Sequence, residues 1–244
     1  MNRQALLAAV LLFLVTVIVR LPARWALRFA PADVVCEAPE GSVWHGACAR
    51  LQAAGVSIGP VSWRLHPLPL LIARVDADVT SSDARLAGEA SIALRSGGRI
   101  SARALHTQMQ LDSGLLAAFP QGWQGQLRLN LDSLEFQAGR LATLSGTVDV
   151  DSLAQLSPSM PLGSFELQFA PASGSPGAIH GTLRDTAGPL VVAGTVQYAA
   201  ASGYEINGTV AARADATPEL AKAVELLGEA DAQGRRPFSL AGSF

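Results

Sequence analysis

A few residue patterns in this chain have the types and spacing that chemistry uses. Gly55-Val56-Ser57-Ile58-Gly59 matches G-x-S-x-G, the nucleophile elbow in which a serine is exposed at a sharp strand-to-helix turn. Here Pro60-Val61-Ser62-Trp63-Arg64 follows and reads as strand, so the elbow has no helix behind it. Asp76 with Asp78, and Asp149 with Asp151, lie two apart and share a strand face. Such pairs can bind calcium or do acid–base work, but a solvated strand face has the same spacing. The histidines at 45, 66, 106 and 180 form no i, i+4 pair and have no partner cysteine, which gives a zinc site no support. There is no phosphate-cradling loop, and Asn207-Gly208-Thr209, a glycosylation pattern, falls inside a predicted strand. The reading is of a protein that is not an enzyme, with no catalytic residue, no cofactor and no metal.

Two other pairs stand out. Cys36 and Cys48 flank Pro39-Glu40-Gly41, a turn sequence, so they can meet across a hairpin. In an oxidising compartment a disulfide is expected, worth about 3 kcal/mol for so short a loop; the alternative is two buried thiols. Trp44 and Trp63 lie on adjacent early strands. They read either as one end of the core or as anchors for a partner.

The elements that position these residues are strands. The phrase apolar-any-Gly-Thr-apolar occurs at Leu144–Val148, Ile179–Leu183, Val192–Val196 and Ile206–Val210. Its last three glycines, Gly181, Gly194 and Gly208, are spaced as a strand plus a turn. The glycine shares a face with the two apolar ends. Mid-strand glycine costs stability, so its recurrence on one face predicts a sheet that bends there or keeps its inner face shallow. Strands are further predicted over 41–51, 56–65, 73–80, 84–94, 99–111, 123–136, 141–150 and 165–169, with a last one over 235–244. Asp112-Ser113 reads as the start of a short helix over 114–119, and Asp151-Ser152 opens a turn or helix to Leu156 that Pro158 and Pro161 end. Residues 171–177, rich in Pro, Ser and Gly, read as a loop. Thr217 and Pro218 begin a helix to Leu227 with Leu220, Val224 and Leu227 as its stripe.

The N-terminus differs from the rest. Residues 5–19 carry no charge and are apolar apart from Thr16, short for a span and with no good cleavage signal after them. An uncleaved anchor is the favoured reading. Arg20, Arg24 and Arg28 are four apart, as are Leu21, Trp25 and Phe29, the pattern of a segment lying on lipid headgroups. The charge count on the two sides of the run does not settle its orientation. Residues 1–30 hold four Arg and no acid; with a whole-chain charge of −2, residues 31–244 carry −6. An acidic body argues against nucleic acid as a partner.

Four stretches in order resemble the N component of the bacterial type II secretion system, the general secretion pathway protein N family. Leu21-Pro22-Ala23 with Trp25 resembles the end of the family's anchor. Gly41-Ser42-Val43-Trp44-His45-Gly46 resembles its G-[ST]-[VL]-W-x-G. Val61-Ser62-Trp63-Arg64-Leu65, then Leu68 to Leu71, resembles its next strand. Gly188-Pro189-Leu190 leading to Gly194, with Leu227-Gly228 and Gly234-Arg235, resembles its tail. The resemblance implies a single-pass inner-membrane protein with a periplasmic body. It implies an accessory role in exporting folded proteins through the outer-membrane secretin, with the secretin and the inner-membrane platform as partners and no catalytic residues.

The expected architecture is mainly β. A single N-terminal transmembrane helix and interfacial segment (1–30) precede a long, curved antiparallel sheet, rolled or half-pipe, with a few short helices (31–244). Two alternatives remain: a periplasmic groove that binds phospholipid on an apolar concave face, and an outer-membrane barrel ending at Phe244, which the scarcity of Tyr opposes.

Overall fold

The computed structural model describes residues 12, 13, 16, 17, 19–29, 34–53, 56–111, 122–156, 159–171, 178–200 and 203–242. Thirteen strands form one antiparallel sheet in which each strand pairs with its sequence neighbours. They are β1 (Val34–Gly41), β2 (His45–Ala53), β3 (Val56–His66), β4 (Arg74–Ser82), β5 (Leu86–Arg95), β6 (Arg99–Leu111), β7 (Trp123–Gln137), β8 (Arg140–Leu156), β9 (Ser159–Phe169), β10 (Ala178–Ala187), β11 (Leu190–Ala199), β12 (Gly203–Ala212) and β13 (Arg236–Gly242). A short helix, α1 (Ala23–Ala26), precedes the sheet, and a longer one, α2 (Pro218–Glu225), links β12 to β13. With β1 and β13 as its two edges the sheet is open, unlike the barrel alternative.

Period-two patterning explains the strands. Leu127, Leu129 and Leu131 of β7 pair with Val150, Val148 and Gly146 of β8, so one face is apolar and the intervening Arg128 and Asn130 are exposed. The same face carries two clusters: Phe169, Ile179 and Val196, and Leu190, Val192 and Val210 with Leu220 and Val224 of α2. Thr217 caps α2, its hydroxyl accepting from Leu220 N–H at 3.3 Å. The helix ends before Leu227, which is exposed, so only two members of the predicted stripe are buried.

Two seams of irregular pairing cross the sheet. One runs through the shifts at Glu89/Ser91 and Leu131/Ser133, beside Ala104 at φ 47° and Gly146 at φ 124°. The other runs through Ser152 (φ 49°), Gly163 and Gly188, where a Cβ on Gly188 would lie 2.4 Å from Gly163 Cα. Extra residues of this kind bend a strand and raise its local twist.

The Gly-Thr phrases lie in β8, β10, β11 and β12, and aromatic rings account for two of their glycines. Gly181 opposes Phe169 and Gly208 opposes Phe238, and a Cβ on either glycine would come within 2.8 Å of the ring. Gly46 with Trp63 and Gly242 with Tyr204 repeat the arrangement. The ring of one strand lies over the bare backbone of the next, an arrangement that also pins register.

Several expectations are corrected. Residues 151–156 are not a turn or helix: Gln126 pairs with Asp151 and Gly163 with Leu153, and β8 runs on to Leu156. The local preference of Asp-Ser survives only as the bulge at Ser152, whose N–H donates to Ser164 Oγ at 3.0 Å. Pro161 did not end an element; it sits in β9 beyond the reach of β10, where a missing N–H costs little. The first hairpin turns at residues 42–44 rather than at Pro39-Glu40-Gly41, which belongs to β1. Leu68 to Leu71 is not strand but part of a 3-10 turn, Leu68–Ile72. The expected transmembrane helix is not among these corrections: most of residues 1–19 lie outside the described residues, and no helix among the described residues is long and apolar enough to cross a membrane. The predicted helix over 114–119, the loop core at 172–177 and Phe244 lie outside the described residues.

Candidate interaction surface

The two tryptophan motifs are one interlocked structure. Trp63 opposes Gly46, and its Nε1–H donates to Val43 O at 3.1 Å. A Cβ on Gly46 would lie 2.4 Å from Trp63 Cζ2, so the indole requires this glycine. Gly41 takes φ 82°, and a Cβ there would lie 2.5 Å from His45 O. Ser42 N–H donates to His45 O at 2.8 Å and its Oγ accepts from His45 N–H at 3.2 Å, closing the turn. Leu65 N–H then donates to Trp44 O at 2.8 Å, and Val43 N–H to Leu21 O at 2.9 Å, with Pro22 bridging to Ser42. Trp44 and Trp63 are both half-buried. Cys36 and Cys48 are joined by a disulfide with Cα atoms 5.6 Å apart, tying β1 to β2. This end of the sheet therefore gathers all four residues singled out from the sequence, together with the exit of the N-terminal segment.

The other chemical patterns are engaged locally. Ser57 is exposed near the start of β3, followed by strand and not by the helix that an elbow needs. Asp76 binds Arg74 at 2.6 Å, and Asp151 binds Arg128 at 2.7 Å. Asp78 accepts from Ser91 Oγ at 2.7 Å and meets His66 Nε2 at 2.8 Å; these two contacts hold its carboxyl below the ordinary range. No three His, Cys, Asp or Glu side chains converge in a way that would hold a metal ion among the described residues.

One charged cluster was not singled out from the sequence. Asp185 accepts from Val192 N–H at 2.8 Å and from Arg213 Nη2 at 2.5 Å. Arg213 Nη1 also donates to Gly188 O and Leu190 O. Burial pushes the Asp185 carboxyl up, but the Val192 N–H and Arg213 more than offset it, leaving the group below its ordinary value. The cluster clamps the β10–β11 turn to the segment entering α2. Its signal was parity: Asp185 continues the inward series Ile179, Gly181, Leu183, and a carboxylate in an apolar register needs a partner.

Comparison with known proteins agrees with the motif order. A family model described as type II secretion system (T2SS), protein N, matches residues 32–239. Type II secretion system protein N of Aeromonas hydrophila is 25% identical over 99% of both chains. The protein of that name from Vibrio cholerae serotype O1 is 28% identical over 159 residues, and the match spans 62% of each chain. No solved structure matches. The family match covers nearly the whole sheet, from before β1 into β13, and so includes both the tryptophan lock and the Gly163–Gly188 seam: the chain belongs to the type II secretion system protein N family.

Proposed function

We propose that this protein is an accessory component of the bacterial type II secretion machinery, held at the inner membrane by residues 1–30 with its β-sheet in the periplasm. There it assists export of folded proteins across the outer membrane. The observation that carries the reading is the family match over residues 32–239. The apolar run at 5–19 and the arginines after it support the membrane attachment, and the Cys36–Cys48 disulfide fits an oxidising compartment. Its partners are other machine components, the secretin and the inner-membrane platform. Pro39 and Pro237 interrupt the two edge strands, which limits strand addition to short segments. The turn around Trp44 and Trp63 then offers the better contact surface. The test is deletion of the gene in the source bacterium, with complementation by the intact chain. Retention of active secreted enzyme in the periplasm, relieved by complementation, supports the role; normal secretion refutes it.

A second reading, binding of phospholipid, is favoured by one observation. A single sheet with one short helix over it buries its core only by curling around it, and α2 covers only the β11–β12 end. Val75, Leu94, Ile100 and Phe136 form one rung of the apolar face and stay 37–46% exposed. Lipid extracted from the purified chain at a fixed stoichiometry supports this reading, and lipid-free protein counts against it.

A further inference from the structure

The connection between β3 and β4 has an unusual composition. Residues 67–73, Pro-Leu-Pro-Leu-Leu-Ile-Ala, contain no polar side chain. Hairpin connections in water are ordinarily polar. Here the 3-10 turn Leu68–Ile72 buries nothing, and Leu68, Leu71 and Ile72 are 77%, 84% and 75% exposed. Ala73, in the left-handed region at φ 55°, returns the chain to β4. Contiguous exposed side chains of this size mark a surface that meets something apolar.

Register places this tip. In an antiparallel meander alternate turns share one end, so the turns β1–β2, β3–β4, β5–β6 and β7–β8 lie together. The N-terminal segment leaves from that end, because Leu21 O is bonded to Val43 N–H and Trp44 O to Leu65 N–H, two residues before Pro67. Leu21, just after the apolar run, and the strand end that leads into the apolar tip are thus linked through a short chain of backbone hydrogen bonds. The rung Val75, Leu94, Ile100, Phe136 continues the apolar surface just behind the tip.

Once internal pairs are removed the exposed charges at this end are mainly arginine, with Glu40 beside the β1–β2 turn as the exposed acid. Arg74 binds Asp76, and Arg99 binds Glu135 at 2.8 Å. Arg95 and Arg140, at the β5–β6 and β7–β8 turns, are exposed and make no ion pair among the described residues. Arg24 is exposed in α1, and the Arg28 guanidinium lies 5.4 Å from the centroid of the exposed Trp25 ring. An apolar tip with arginines at the neighbouring turns on the same end of the sheet, and with tryptophan and arginine in the segment that leaves from that end, matches the layering of a bilayer interface: headgroup phosphates outside, acyl chains within.

We propose that Leu68, Leu71 and Ile72 insert into the interfacial layer of a phospholipid bilayer while Arg95 and Arg140 meet its headgroups. The sheet then stands on the membrane at two points rather than hanging from one. This rests on the reading that residues 1–30 attach the chain to a membrane.

The test uses the full chain in vesicles of roughly three parts phosphatidylethanolamine to one part phosphatidylglycerol. Cys36 and Cys48 are bonded to each other, so an introduced cysteine is the single site for an environment-sensitive thiol dye. Leu71→Cys probes the tip, with Leu68→Cys as a second site on the same turn. Trp25→Cys reports on the membrane segment, and Arg85→Cys, at the β4–β5 turn, reports on the far end. Lipid brominated near the headgroup end of its acyl chains is the quencher. Insertion to the acyl boundary predicts a drop in dye emission by about half or more at 71, 68 and 25, and none at 85. Quenching at 25 without quenching at 71 or 68 overturns the tip contact, keeps the membrane attachment, and points to a protein against the tip. No quenching at 25, 71 or 68 overturns both readings. Quenching at 85 as strong as at 71 overturns the upright orientation that the proposal requires.

Discussion

Gly181→Ala isolates the packing of aromatic rings over glycine from every other role of a glycine. The φ of Gly181 lies outside the left-handed region, so alanine fits its backbone without strain. On propensity alone the change should stabilise a strand by about 0.5–1 kcal/mol. The added Cβ, however, would lie 2.7 and 2.8 Å from Phe169 Cδ1 and Cε1, and 3.0 Å from Gln168 O. Ordinary carbon contacts are about 3.5–4.0 Å. Phe169 is itself buried in one cluster with Ile179 and Val196, so a shift of its ring disturbs that packing. Overpacking of this kind costs about 1–3 kcal/mol, and the net expectation is a loss of about 1–2 kcal/mol. For a chain of this size that lowers Tm by about 2–8 °C. The assay is thermal unfolding of the full chain in detergent, followed by near-ultraviolet circular dichroism. The same substitution in a Phe169→Leu background should be neutral or stabilising, because the ring is gone. An equal loss in both backgrounds, or a higher Tm for Gly181→Ala alone, refutes the ring-over-glycine reasoning.

Asp185→Asn removes the charge that holds Arg213 and should cost about 1–3 kcal/mol in chemical denaturation, the partial exposure of Arg213 moderating the loss. Because the folded Asp185 pKa is depressed, its contribution is present above the ordinary carboxylate value of 3.8 and is lost as pH falls through the folded value; Asp185→Asn should flatten that acid limb of the stability curve. Reduction of the Cys36–Cys48 bridge, which closes a short loop, should cost about 3 kcal/mol, read as a lower denaturation midpoint with reductant; peptide mapping without reductant should recover a linked pair. Trp63→Phe keeps the ring over Gly46 but leaves Val43 O without its donor, which should cost about 0.5–1.5 kcal/mol in thermal unfolding. Trp63→Gly, which also removes the ring, should cost several-fold more.

The strands were legible wherever one face is apolar. The alternation of Leu127, Leu129 and Leu131 and the Gly-Thr phrases fall inside the strands β7, β8, β10, β11 and β12. Thr217 with Pro218 named the start of α2 because capping depends on residues within one turn. The failures fall where local signals conflict with pairing. Asp151-Ser152 has the chemistry of a helix start, yet β7 and β9 lie on either side and their hydrogen bonds outweigh one cap. Leu68 to Leu71 is apolar enough for a strand, but Pro67 and Pro69 remove two of the donors a ladder needs. Of the candidate site, the cysteines and tryptophans were visible as residue types, and Asp185 as an odd charge in an apolar register.

The sequence by itself determined the mainly-β class, the buried face of strands with clean alternation such as β7 and β9, and the ordered motifs that carry the family, because these depend on periodicity and on residues close along the chain. Only the tertiary structure decided why the motifs exist. Gly46 is required by an indole from β3, Gly181 by a ring from β9, and Gly188 by the backbone of Gly163. Arg213 reaches back 28 residues to Asp185, and Leu21 O is held by Val43 N–H in the β1–β2 turn. Each of these is a contact between atoms of different strands or segments. Such a contact is set by strand register and by the bend at each bulge, which no local pattern encodes.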